Sequence, residues 1–167
     1  ENELEIDVLN QDELEEQGLL EWIDEEVDQA YLEELKGITL NQEVIREQAD
    51  DLRIVFTPLH GTAGMLASRG LEQLGFKHVH VVEEQAVPDP EFSTVKSPNP
   101  EEHQAFEYAI RLGKEVDADI LVATDPDADR LGVSSRDSNG KYRVLTGNQL
   151  GALMLDYILS QRKDLPD

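Results

Sequence analysis

A three-layer α/β domain is predicted, with a mostly parallel sheet of β-α-β-α-β order, an added antiparallel hairpin and helices on both faces. Three observations predict it. Short apolar runs at 52–56, 79–82 and 119–124 alternate with longer amphipathic stretches, which is the pattern of parallel strands joined by helices. Two further runs flank Asp137-Ser138-Asn139-Gly140, a hairpin signal. The 167 residues are 39% apolar, enough to bury one core.

Taken in order, residues 1–51 form an acidic leader holding 19 of the 37 acidic residues against only Lys36 and Arg46. We read it as a helical crossover from a preceding domain. Trp22, Ile23, Val27, Ala30, Tyr31 and Leu35 recur at helical spacing, and Gly37 is expected to stop that helix. The α/β unit spans 52–146. Its first strand, 52–56, leads through the loop 57–64 into a helix ended by Gly75. The second strand, 79–82, precedes a Pro-rich loop. Asn99-Pro100-Glu101-Glu102 predicts a helix start, with Asn as cap, Pro at the first helical position and carboxylates at the positive end. That helix runs to about Lys114, and strand three to Thr124. After the hairpin, Thr146 caps a C-terminal helix within 147–167 that leads to a following domain, with Leu150, Leu153, Met154, Tyr157 and Ile158 on one stripe. The chain starts at Glu1 and ends just after a helical pattern, so we expect a segment of a longer polypeptide.

A net charge of −23 repels nucleic-acid phosphates, so no nucleic-acid partner is expected. No apolar run approaches the length needed to cross a bilayer, and no signal sequence opens the chain, so we expect no membrane partner and a cytoplasmic location. With no cysteine, any metal is held by oxygen or imidazole. The same negative field would repel a phosphorylated metabolite. Local cations must therefore reverse it wherever an anionic substrate binds.

In open parallel sheets, ligands bind at the carboxyl ends of the strands, where the three polar loops converge. The third, Asp125-Pro126-Asp127-Ala128-Asp129-Arg130, sets carboxylates at alternate positions directly after an apolar strand. Such hard oxygen ligands suit Mg²⁺ or Ca²⁺. Pro126 stiffens the turn and Ala128 keeps it uncrowded. Arg130 is either a salt-bridge partner or, as we favour, a fork for phosphate. An EF-hand is excluded, because its sixth and twelfth positions fall on Arg130 and Arg136 instead of Gly and Glu. An aspartate-nucleophile phosphatase, with Asp125 attacking and Asp127 as acid, stays open, although Asp129 stands where Thr or Val is usual. A non-enzymatic acidic Ca²⁺-binding module is a third reading. In the first loop, Gly61, Thr62 and Gly64 precede a helix and offer backbone N–H groups to an anion. His60 either donates to a ligand or orders the turn.

Three motifs occur in sequence: Thr57-Pro58-Leu59-His60-Gly61-Thr62, then Pro88 to Phe92 through Pro98-Asn99-Pro100-Glu101, then Ala123 to Arg130. Together they resemble the second domain of the α-D-phosphohexomutases, in particular the phosphoglucomutase and phosphopentomutase-like branch. The resemblance implies Asp125, Asp127 and Asp129 as Mg²⁺ ligands, with Arg130 and His60 as catalytic-site residues. It also implies a phosphorylated sugar as substrate and the other domains of the same enzyme as partners. The implied reaction interconverts glucose 1-phosphate and glucose 6-phosphate through a phosphoserine and a bisphosphate. None of the serines, Ser68, Ser93, Ser97, Ser134, Ser135, Ser138 and Ser160, lies in that family's nucleophile motif. The chain alone is therefore expected to be inactive as a mutase.

Overall fold

The computed structural model describes residues 9–162; the first eight residues of the acidic leader and the last five of the C-terminal segment lie outside the described residues. Helices α1 (Gln11–Glu16), α2 (Glu25–Ile38) and α3 (Gln42–Gln48) come first. Strand β1 (Arg53–Thr57), helix α4 (Gly64–Gln73), strand β2 (His78–Val81) and the short α5 (Glu83–Ala86) follow. A 3₁₀ turn at His103–Phe106 leads into α6 (Glu107–Val116). Strands β3 (Ile120–Thr124), β4 (Leu131–Arg136) and β5 (Tyr142–Val144) then precede α7 (Gly147–Gln161).

The sheet has the order β2-β1-β3-β4-β5. Its β1–β2 and β1–β3 pairings are parallel, while β3–β4 and β4–β5 are antiparallel. This is the expected arrangement, a core of three parallel strands to which the hairpin adds two antiparallel ladders, so that by pairing the sheet is mixed. Helices do cover both faces. Ile54, Val55, Phe56 and Thr57 are buried in succession, as in a strand covered on both sides. Val55 joins Phe106, Ala109, Leu121, Ala123 and Tyr142 in the core under α6. Phe56 and Val122 face the opposite layer, where α2 and α4 supply Leu32, Leu66 and Leu71. Burying a side chain the size of Phe106 stabilises by about 1.5–3 kcal/mol.

Several element ends follow from local chemistry. Gly75, with φ 100°, ends α4 in a Schellman arrangement: its N–H donates to Glu72 O and that of Phe76 to Leu71 O. Gly37 does not stop α2, which continues to Ile38; Thr39 ends it, its hydroxyl donating to Leu35 O. The packing stripe of α2 also differs from the expected one. Leu32 is the buried residue, whereas Trp22 and Ile23 precede the helix and, with Val27 and Tyr31, stay exposed. The α4 side chain Arg69 selects that rotation by pairing with Glu25 and Asp28 on α2.

The Asn99-Pro100 segment is a turn, not a helix start. Asn99 Oδ1 accepts from Glu101 N at 3.1 Å, and regular helix begins only at Glu107. Tertiary contact decides this, because Pro100 is pressed onto β4: a Cβ on Gly132 would lie 2.1 Å from Pro100 O. Thr146 caps α7 as expected, through a capping box with Gln149. The expected α7 stripe, however, buries none of its residues; the helix is tied by Asn41 Nδ2, which donates to Tyr157 Oη and Gln161 Oε1 at 3.0 Å each.

Asp117 ends α6 in the left-handed region, φ 57°. Its carboxyl is held below the usual carboxylate range, first by the hydrogen bond and charge of Arg136 and then by Arg53. A folded-state value below the unfolded one contributes stability that is present above about pH 4 and lost as pH falls through the folded value. The stability difference between wild type and Asp117→Asn is therefore expected at neutral pH and should vanish in acid, measured by urea unfolding across pH. Asparagine tolerates the same backbone conformation, which keeps the comparison clean.

Candidate metal centre

The chain moves from β1 through α4 to β2 on one side of β1, then returns through α6 to β3 on the other side. The carboxyl ends of β1 and β3 therefore flank the point where the winding direction reverses, the position at which open sheets bind ligands. Two of the three polar loops leave the sheet there: 57–64 after β1 and 125–130 after β3.

Asp125, Asp127 and Asp129 each present a carboxylate oxygen within 4.8 Å of the others. Asp125 is fully buried and the other two are exposed. Its oxygens accept from Arg130 N at 2.9 Å and from Arg130 Nε at 2.7 Å. Burial pushes the Asp125 carboxyl up, but these bonds from Arg130 outweigh it and hold the group below its ordinary value. Each oxygen keeps a second lone pair for a metal.

Asp129 is pushed above the ordinary carboxylate range, chiefly by the charge of Asp127 and then of Asp125. Three anions in mutual repulsion, all hard oxygen donors, are the donor set that a small divalent cation satisfies. The residues present therefore fit a hard divalent cation, such as the Mg²⁺ that the resemblance implies. Ala128, between Asp127 and Asp129, has φ 63°. A left-handed alanine costs about 1–2 kcal/mol, partly offset by glycine's larger backbone entropy. Ala128→Gly is expected to stabilise the fold by about 0.5 kcal/mol, seen as a higher urea midpoint with unchanged slope.

Of the two roles weighed for Arg130, the structure shows the salt bridge. Its Nε binds Asp125, with Asp129 Oδ1 at 3.8 Å, while the side chain is 54% exposed and its Nη groups make no hydrogen bond among the described residues. Hydrogen bonding to Asp125 raises its already high pKa further, so the cation persists at any physiological pH.

Of the N–H groups expected to face an anion in the loop after β1, those of Gly61 and Thr62 are taken within the protein. His60 N donates to Gln85 O, Gly61 N to Pro58 O and Thr62 N to Pro126 O. The loop instead supports the aspartate loop, with Gly61 so close that a Cβ would sit 2.3 Å from Pro126 Cα. His60 is 7% exposed, with Nδ1 2.9 Å from Val87 O and Nε2 2.8 Å from Thr94 Oγ1. It orders the turn; neither ring nitrogen is left for a ligand in this arrangement. Thr57, Gln85 and Thr94 complete that contact; Thr57 opens the first motif, but nothing local in the sequence marks Gln85 or Thr94, whose roles depend on Thr57 and His60 far away in the chain.

An open α/β domain thus carries a carboxylate cluster and an arginine at its switch point, the place where such enzyme domains bind ligands. Residues 29–140 match the family described as phosphoglucomutase/phosphomannomutase, alpha/beta/alpha domain II, and the chain belongs to that family. It is 48% identical over 115 residues to a phosphoglucomutase of Staphylococcus aureus strain USA300 and 47% identical to that of strain N315. Each alignment covers 69% of this chain and 21% of the relative, so the matched part spans about a fifth of these relatives. A crystal structure of a phosphoglucomutase/phosphomannomutase family protein from Burkholderia thailandensis superposes with a TM-score of 0.61 at 27% identity. That superposition covers 80% of this chain and 26% of the other.

Proposed function

We propose that this chain is the metal-holding domain of an enzyme that interconverts glucose 1-phosphate and glucose 6-phosphate through a phosphoserine and a bisphosphate intermediate. The observation that carries the reading is the convergence of Asp125, Asp127 and Asp129 at the carboxyl end of β3, within a chain of this family. Asp125, Asp127 and Asp129 would hold Mg²⁺, which when bound would supply positive charge to offset the negative charge on a transferring phosphoryl group. Arg130 orients Asp125 through Nε and offers its Nη edge to a phosphoryl oxygen. The strongly negative remainder of the chain makes such a local reversal of field necessary for an anionic sugar phosphate.

The other domains of the same enzyme are the proposed partners. Helix α7 lies outside the family match, carries apolar residues on several sides and buries none of them. A helix with that composition is stable when covered all round, and a following domain would do so. A preceding domain would reach this one through the acidic leader. Among the described residues no helix is long and apolar enough to cross a membrane.

Titration calorimetry with Mg²⁺ and Mn²⁺ tests the metal assignment: one site is expected, and no heat of binding would end the reading. With glucose 1-phosphate, Mg²⁺ and a glucose bisphosphate, the chain by itself is expected to show no turnover. Measurable isomerisation by the purified chain would contradict the assignment of the phosphoserine to another domain.

A further inference from the structure

The aspartate loop leans on the loop after β1. Besides the close approach of Gly61, Thr62 donates to Pro126 O from its N–H at 2.9 Å and from its hydroxyl at 3.2 Å. The loop after β1 is strained, since Leu59 and His60 both lie in the left-handed region with φ 47° and 65°. Such residues persist where the surroundings over-determine them. Leu59 is held by burial in the core. His60 is held by a chain of polar side chains reaching into the loop 83–98.

Along that chain, Thr57 Oγ1 donates to Gln85 Oε1 at 2.7 Å, and Gln85 Nε2 donates to Thr94 Oγ1 at 3.0 Å. Val87 O only accepts, so the proton of a neutral His60 sits on Nδ1 and is donated to it. Nε2 is then an acceptor for the Thr94 hydroxyl. Every donor from Thr57 to Val87 thus meets one acceptor. Thr57 and Gln85 are fully buried, so water cannot replace a missing member at that end of the chain.

We propose that Gln85, Thr94 and His60 are positioning residues for the metal carboxylates. They fix the loop after β1, and that loop fixes Pro126 through Gly61 and Thr62, setting the spacing of Asp125 and Asp127 on either side. The metal part of this inference rests on the function proposed above; the structural part, the transmission from Thr94 to the aspartate loop, does not.

The test compares wild type, Thr94→Val, Thr94→Ser and Tyr142→Phe in the full 167-residue chain. Valine keeps the volume but leaves His60 Nε2 and Gln85 Nε2 without their partner, and serine restores the hydroxyl. Tyr142→Phe removes a buried hydroxyl that donates to Ala118 O under α6, far along the sheet from the aspartate loop, and controls for general loosening. Mn²⁺ affinity by electron paramagnetic resonance is expected to fall about 10-fold in Thr94→Val, the lower end for losing a group that orients a ligand. Thr94→Ser and Tyr142→Phe are expected to stay within about twofold of wild type, by the same measure. Without metal, the amide signals of Thr62 and Arg130 and the ring nitrogens of His60 should shift in Thr94→Val and return in Thr94→Ser.

Amide signals unmoved in Thr94→Val would overturn the inference whether or not metal binds. Unchanged Mn²⁺ affinity in Thr94→Val, or an equal loss in Tyr142→Phe, would also overturn it provided wild type binds. A wild type that takes up no Mn²⁺ refutes the metal assignment instead, and the amide shifts alone then decide whether Thr94 transmits to the aspartate loop.

Discussion

Asparagine in place of Asp127 is expected to weaken Mg²⁺ and Mn²⁺ binding by about 100-fold or more, since losing a ligand of the metal site proposed above would exceed the 10–100-fold cost of losing a group behind one. The fold should survive, because Asp127 is exposed and anchors neither neighbouring strand. The charge of Asp127 is the leading cause that drives Asp129 upward, so neutralising it relieves repulsion in the metal-free state. Two opposite signs follow. In chelator, Asp127→Asn should melt slightly above wild type; with excess Mg²⁺ the wild type should gain stability and the variant should not. Paired thermal melts read both. A variant less stable than wild type in chelator would mean that the three carboxylates do not repel one another as their spacing implies.

Alanine at Gly61 is expected to give the second large effect, and through backbone rather than ligand chemistry. Its Cβ would meet Pro126 Cα at 2.3 Å, Pro126 O at 2.5 Å and Pro126 C at 2.7 Å, all main-chain atoms that no rotamer change can move. Either the aspartate loop or the loop after β1 must shift, and overpacking of this kind costs about 1–3 kcal/mol or more. Because Pro126 lies between two of the carboxylates, the stability loss should be accompanied by weaker Mn²⁺ binding. Gly113→Ala provides the contrast: its nearest neighbour is Leu121 Cδ2 at 2.7 Å, followed by the Tyr142 ring, under α6. That variant should lose stability and keep its metal affinity. Urea unfolding and Mn²⁺ titration on both variants separate the two outcomes, and Gly61→Ala with full metal affinity would show that the two loops are mechanically independent.

Periodicity and turn chemistry anticipated all five strands to within a residue or so, together with the Gly75 stop, the Thr146 cap and the Asp137–Gly140 turn. These elements are local. A strand covered on both faces must be a continuous apolar run, and a capping box needs only residues three apart. The failures share the opposite property. Asn99-Pro100 has every local mark of a helix start, but Pro100 is held against Gly132, a residue 32 positions away. The α2 stripe was misjudged because Arg69 and the α4 surface select which face turns inward, and Trp22 lies before the helix begins. His60 was left between two roles because its partners, Val87 and Thr94, are 27 and 34 residues distant.

By itself the sequence determined the kind of domain and the resemblance to its family, and it marked three aspartates as candidate cation ligands, since alternate carboxylates after a buried strand are a local pattern. Only the tertiary structure decided the strand order, and with it that the loops after β1 and β3 stand side by side. It also showed that Thr62 of the first loop donates to Pro126 of the second, and that both ring nitrogens of His60 are taken by Val87 and Thr94. The physical reason is that a backbone N–H or an imidazole nitrogen can serve one strong partner at a time, and which partner comes within 3 Å is settled by how the whole chain packs.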